Sequence, residues 1–262
     1  MKRVQRYLWS AFSVLALLGL WQLGATLTPE SIPSVPGTVS ALGTVLTEPG
    51  PYDNMFYYHV WKTVELLFIT LAVSMVLGTI IGIALGTNNR LESTLSSWIY
   101  AWLAIPSRVI VFVAAVLFGF NVRSGYVAVP IVITPFVALN MWEGARGLDP
   151  QLTEMAEFFG ASRYQQFTDV IIPQLVPFLF ASIRSALSIG WKITLLVEAF
   201  LLSRGVGFMF RRSFDQYDLT TMMAWLIVFI VFLVIIEYGV LAPIHSRVTA
   251  WRPDADGVRL SE

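Results

Sequence analysis

The sequence predicts an all-α integral membrane protein of about six transmembrane helices, and three observations carry that expectation. Of 262 residues, 56% are hydrophobic and 13% charged, whereas a soluble domain is about one quarter charged. Apolar runs of about 20 residues recur, each long enough at about 1.5 Å per residue to cross a hydrocarbon core of about 30 Å. Aromatic residues gather toward the ends of those runs, among them Tyr7, Trp9, Tyr57, Tyr58, Trp61, Trp98, Tyr100, Trp142, Trp225, Tyr238 and Trp251. That is the interfacial belt of a membrane protein.

Composition also excludes several functions. A net charge of zero gives no pull toward nucleic acid. The absence of cysteine removes disulfides, thiolate metal sites and cysteine nucleophiles together. The two histidines, His59 and His245, both fall at expected segment ends, which speaks against a histidine metal site within one chain.

The first span is expected over 7–27. It follows the basic start Met1-Lys2-Arg3-Val4-Gln5-Arg6. The run is long for a signal-peptide core and has no convincing small-x-small cleavage site, so it reads as a retained signal anchor. Ile32-Pro33-Ser34-Val35-Pro36-Gly37 then makes a turn, and the apolar periodic stretch through Leu46 predicts a short helix along the outer interface. The second span is expected over 60–86. Its Gly78, Gly82 and Gly86 form a small-xxx-small stripe for close helix approach. Further spans are expected over 94–120, 126–146, 176–203 and 220–243. The division is an anchor and outer loop (1–59), a core (60–245) and a tail (246–262).

Lys and Arg placement sets the orientation. With the N-terminus inside, the inner segments carry Lys2, Arg3, Arg6, Arg90, Arg146, Arg163, Arg247, Arg252 and Arg259, against Arg123, Arg204, Arg211 and Arg212 outside. The outer loop 28–59 has Glu30, Glu48 and Asp53 and no basic residue. Both termini and the loop 147–175 are then expected to be cytoplasmic.

That inner loop is the most patterned segment of the chain. Asp149-Pro150 suits a helix start, with Asp as cap and Pro in the first turn. Glu154 and Glu157 fall early, where they complement the helix dipole. Gly160 ends the helix, and Ala161-Ser162 leads into a second piece. Met155, Phe158 and Phe159 make an apolar face that a free cytoplasmic helix would not leave bare. The plain alternative is an amphipathic connector on the inner leaflet. Such anchors are usually basic, whereas this loop is nearly balanced, which favours docking on a protein.

Four ionisable residues fall well inside expected spans and are the candidates for a substrate path: Arg108, Arg184, Lys192 and Glu198. Such charges usually face a cavity or a partner. Arg108 and Lys192 are read either as cations lining an anion path or as partners of acids on other helices. Arg184 lies about 80° around an ideal helix from Lys192, and snorkelling to the inner interface is its alternative. Glu198 is six residues from Lys192, too far for an in-helix pair. Glu65 and Glu143 are expected at interfaces or helix contacts. Arg211-Arg212, with Asp215 and Asp218 near, read as a solvated charge cluster.

The spacing of the inner loop resembles the EAA loop of ABC importer permeases. Glu154-Met155-Ala156-Glu157-Phe158-Phe159-Gly160 is followed after nine residues by Val170-Ile171-Ile172-Pro173. From Ile32 to about Trp251, more than four fifths of the chain is similar to type I importer permeases for nitrate, sulfonates, taurine, bicarbonate and pyrimidine precursors. The matching pieces are Ile32-Pro33-Ser34, Gly78-Thr79-Ile80-Ile81-Gly82, Leu117-Phe118-Gly119-Phe120, Gly160-Ala161-Ser162-Arg163 and Val197-Glu198-Ala199. The resemblance implies the type I permease fold, with a coupling helix around Glu154, Ala156, Glu157, Phe158, Gly160 and Ala161. It implies a homodimer in a bacterial inner membrane, two cytoplasmic ABC ATPase subunits and a solute-binding protein. ATP and Mg would sit on the ATPases, since no Walker-type phosphate loop occurs in this chain. Two departures stand out: Met155 replaces an alanine, and Arg108 interrupts a stretch that is usually apolar.

The expected function is therefore a permease subunit passing a small anion of sulfonate, carboxylate, nitrate or bicarbonate type. A neutral or heterocyclic solute such as a pyrimidine precursor is the alternative. Two rivals come from other classes. An intramembrane enzyme would have to rest on Ser188 and Lys192, the single Ser-Lys pair at helical spacing in that span. A passive channel would leave the patterned loop unused.

Overall fold

The computed structural model describes residues 2–51 and 54–243, which are helix and turn with no strand among them. The first helix, α1, runs Lys2–Leu27. Helix α2, Val35–Thr47, begins inside the expected turn, with the Ser34 side chain accepting from Gly37 N and Pro36 in the first turn. Trp21 Nε1 donates to Pro33 O, and Val35 N to Gln22 Oε1, both at 2.9 Å. These bonds tie α2 to α1.

Two helices form the centre: α3, Met55–Thr87, and α6, Val122–Arg146. Between them lie α4, Asn89–Ala104, and α5, Ser107–Phe118. After α6 come the short α7, Pro150–Phe158, and the one-turn α8, Arg163–Gln165. A wider-wound π segment, Gln166–Ile171, leads into α9, Ile172–Leu201. The chain continues through α10, Val206–Asp215, and α11, Leu219–Val234, with a second π segment at Ile235–Leu241.

Among the described residues, four helices are long and apolar enough to cross a membrane: Met55–Thr87, Val122–Arg146, the continuous rod Arg163–Leu201, and Leu219–Gly239. The expected span 94–120 is corrected. It is a broken pair, α4 and α5, bent by 90°. Pro106 is the cause: it lacks an N–H and its ring drives the preceding residue out of the helical region. Ile105 accordingly takes an extended backbone (φ −71°, ψ 123°). Of the expected first span, the described apolar stretch Phe12–Leu27 is shorter than a full crossing. The expected tail 246–262 lies outside the described residues, as does His245.

The core is built where α6 meets α3 and α9. α3 presents Gly78, Gly82 and Gly86 to α6. A Cβ at Gly78 would lie 2.5 Å from Val137 Cβ, and one at Gly82 2.5 Å from Ala138 O and 2.6 Å from Met141 Cβ. A Cβ at Gly86 would collide with Ala145. Every glycine of the stripe is therefore a point where one backbone touches the other helix. In lipid, where burying apolar groups gains little against apolar tails, this close packing is the main attraction left. α9 packs on the next face of α6, where Gly190 sits over Ile133 and Gly144 over Phe178.

The stripe gives a direct test. Gly82→Ala forces a methyl into the α6 backbone and is expected to cost about 1–3 kcal/mol, read as a lowered unfolding temperature in detergent. Gly43→Ala, where nothing lies within 4 Å of the new methyl, should leave that temperature unchanged. Equal midpoints for both variants would refute the close-packing account.

Candidate functional site

Two features remain once the core is assembled, the loop between α6 and α9 and the charges along α5 and α9. The loop forms as its sequence directs. Asp149 caps α7 by accepting from Gln151 N at 2.9 Å. At the other end, Gly160 takes φ +77°, a left-handed conformation that glycine adopts without strain. Gly160 N donates to Glu157 O at 2.9 Å and Ala161 N to Ala156 O at 3.0 Å, the paired bonds of a Schellman termination. Ser162 then starts α8 with a full capping box to Gln165. Asp149 N also donates to Gln174 Oε1 at 2.9 Å, which ties the start of the loop to the base of α9.

Glu154 and Glu157 are exposed, and Ala156 and Ala161 half-buried. Met155 is also exposed, and Phe158 and Phe159 are 88% and 78% exposed. Beneath α7 runs a groove of about 540 Å³ bounded by Leu152, Met155, Ala156, Pro173 and Phe178. A rigid, capped helix thus presents bare aromatic rings at the end of the bundle.

The four membrane charges separate into different roles. Arg184 donates from Nη2 to Glu237 Oε1 at 2.9 Å, an ion pair between α9 and the last π segment. Glu237 was missed by sequence reasoning, because the pair joins residues 53 positions apart. Glu198 is 1% exposed and lies inside a junction of α3, α9 and α10. Its Oε2 accepts from Thr63 Oγ1 at 3.0 Å and from Gly207 N at 2.9 Å. Val206 N donates to Thr63 Oγ1 at 2.9 Å, and Gly205 N to His59 Nδ1 at 3.0 Å. Three successive backbone N–H groups at the start of α10 are thereby satisfied by side chains. Gly205, at φ +102°, leaves room for this, since a Cβ there would collide with the Glu198 carboxyl group. In this conformation Glu198 faces that junction and no open path. The signal available in the sequence was Gly205-Val206-Gly207, a Gly-x-Gly turn just after a span.

Lys192 and Arg108 are exposed, and neither enters an ion pair among the described residues. Arg108 sits in the first turn of α5, directly after the 90° break. Lys192 lies about 14 Å below the Leu201 end of α9 at 1.5 Å per residue, on a groove floored by Leu195, Leu196 and Ala199. The Arg211–Asp215 pair, at 2.7 Å, accounts for part of the expected outer charge cluster.

Breaking the junction should show in stability. Glu198→Ala strands Gly207 N–H and is expected to cost about 1–3 kcal/mol, while Glu198→Gln keeps an acceptor in place and should cost less. Gly205→Ala should be as damaging as Glu198→Ala. Thermal unfolding of the purified chain in lipid nanodiscs reads all three, and an unchanged midpoint for Glu198→Ala would remove the proposed brace.

Comparison with known proteins places this geometry. Residues 74–248 match the family described as binding-protein-dependent transport system inner membrane component. The chain is 25% identical over 238 residues to the taurine transport system permease protein of Escherichia coli (strain K12), covering 90% of this chain and 86% of that one. It is 25% identical over 221 residues to the formylaminopyrimidine transport permease protein of Halalkalibacterium halodurans, covering 83% and 86%. A solved structure of the MetNI methionine ABC transporter in an inward-facing conformation shares the fold, with a TM-score of 0.63 at 19% identity over 72% of this chain and 94% of that one. The protein is a multi-pass permease subunit, and it belongs to the inner membrane component family of binding-protein-dependent ABC importers.

Proposed function

We propose that this subunit pairs with a second copy to import a small anion, driven by ABC ATPase subunits that seat α7. The observation that carries the reading is α7 itself. It is short, capped at both ends, tethered to α9 and left with Phe158 and Phe159 bare. An unpartnered apolar patch on a rigid helix is a docking surface. Glu154, Ala156, Glu157, Gly160 and Ala161 set the shape and charge of that helix. ATP and Mg belong to the partner, so this chain contributes motion and a path.

Both termini and α7 are assigned to the cytoplasmic side, from the distribution of Lys and Arg. α2 and α10 then face the solute-binding protein. The family name demands such a protein but leaves its cargo open, since the two relatives above are named for taurine and for formylaminopyrimidine. The charges tip the balance. An unpaired cation facing lipid at mid-depth costs about 2.5–3.5 kcal/mol on insertion scales, so Arg108 and Lys192 are assigned to the water-lined path. Interrupted spans are where transporters expose backbone to their solutes, and Arg108 stands at such a break. Arg184, held by Glu237, is assigned to helix pairing.

The test is ATP hydrolysis by the permease and its ATPase in nanodiscs, with the cognate binding protein and a panel of small anions and neutral heterocycles. A liganded binding protein should raise the rate several-fold. Gly160→Asp and the double variant F158A/F159A should abolish that rise while the complex or the ATPase's own basal activity survives. If the ATPase never co-purifies and its rate ignores the permease, the coupling role of α7 is lost. If a neutral heterocycle stimulates and no anion does, the anion assignment goes and the importer assignment stays.

A further inference from the structure

We propose that the groove beside Lys192 holds an amphiphilic organic anion, a sulfonate or carboxylate carried on an apolar body about the size of a benzene ring. The inference rests on the anion-import reading above and narrows its substrate class.

The groove lies between α9, α10 and α11 and measures about 230 Å³. A dry cavity of about 150 Å³ already accepts benzene, so a ring with one acidic group fits. Its walls include Leu196, Phe200, Phe210, Trp225 and Phe229, and Lys192 is its one charged lining residue. Three nearby charges are engaged elsewhere. Glu198 turns into the α3–α10 junction through Thr63 and Gly207. Arg184 is paired with Glu237. Arg211 lies 5.2 Å over the Phe200 ring but is held by Asp215 through two bonds of 2.7 and 2.9 Å. Lys192 is left as a single free ammonium at the edge of a carbon surface. The Trp225 indole N–H, in the same wall, has no hydrogen-bond partner.

That chemistry discriminates among anions. Nitrate, bicarbonate and sulfate carry charge on every side and need donors from several directions to leave water. One ammonium cannot supply them. An organic anion puts its acidic end on Lys192 and its body on the aromatic walls, burying apolar surface as small-molecule sites do. A larger apolar cavity between α2, α3 and α11, of about 300 Å³ and bordered by Leu42, Phe56, Val60 and Phe232, has no charged residue in its lining. It lacks the feature that would orient an anion.

The probe is para-fluorobenzenesulfonate, its binding to the permease–ATPase complex in zwitterionic-lipid nanodiscs followed by fluorine NMR. Wild type should bind it, Lys192→Arg should bind comparably, and Lys192→Gln should weaken binding about tenfold. Ala199→Phe, which fills the groove and keeps the charge, should weaken it similarly. Elution profile and unfolding temperature confirm that each variant is folded. Sulfate or nitrate at equal concentration should displace little of the probe.

Equal binding by Lys192→Gln, or displacement by sulfate as effective as by unlabelled benzenesulfonate, would overturn the proposal. Displacement only by added phosphatidylglycerol would make the groove a lipid site and overturn it as well. If nitrate or bicarbonate drives Lys192-dependent ATP hydrolysis while the arenesulfonate binds nowhere, the organic-anion assignment fails and anion import stands. Stimulation by a neutral heterocycle alone would remove both.

Discussion

Everything in this fold answers to one constraint: within hydrocarbon, each backbone N–H and C=O must find a partner inside the protein. Long helices satisfy it automatically, and so the centre is made of them. The instructive places are those where the chain stops being helical. At the start of α10, Gly205, Val206 and Gly207 donate to His59, Thr63 and Glu198 in turn. A backbone donor on His59 Nδ1 also fixes the ring proton on Nε2, which lies 3.2 Å from Met55 Sδ. Three side chains from two helices thus finish a helix end that α10 could not finish for itself. At the Ile105–Pro106 break no side chain caps α5. Pro106 has no N–H to satisfy, and the first turn of α5 stays bare beside Arg108. One irregular segment is sealed by side chains of neighbouring helices, and the other has no side-chain cap.

The same economy sorts the charges. Lys62 pairs with Glu65 at 2.6 Å, Arg146 with Glu92 at 3.2 Å, and Arg184 with Glu237 at 2.9 Å. Each pair joins turns or helices that have other reasons to be adjacent, so its net contribution to stability is small. Their significance is by contrast. Lys192 and Arg108 are exposed and enter no ion pair among the described residues, which is why the proposed path is assigned to them.

Much of this was legible in the sequence because the signals were local. Asp149-Pro150, Gly160 and Ser162 each dictate the conformation of their own neighbourhood, and the loop folded as those residues required. The glycine stripe at Gly78, Gly82 and Gly86 announced a close helix contact, though not that α6 would supply it. What stayed hidden was non-local. Arg184 and Glu237 are 53 residues apart, Thr63 and Glu198 135 apart, and no periodicity connects them. The bend at Pro106 had a local signal that lost to the apolar run around it. Hydrophobicity reports that a segment prefers lipid, while proline decides whether it can cross in one piece.

Helix α9 is where the two halves of the proposed mechanism meet. Its base is tied to the loop through Gln174 and Asp149, its middle carries Lys192, and its far end holds Glu198 against α3 and α10. With the preceding π segment it is continuous from Arg163 to Leu201, and a packed helix transmits displacement better than it absorbs it. The π segment, wound more widely and lacking buried residues, is the place in that rod where bending costs least. Under the coupling role proposed for α7, a push there moves the base of α9 against a far end held by the Glu198 junction. On that same proposal Lys192, between the two ends, changes its surroundings with the stroke. The proposed path cation then sits on an element held at both ends, where its contacts can differ between two states, and differential contacts are what any shift between states requires.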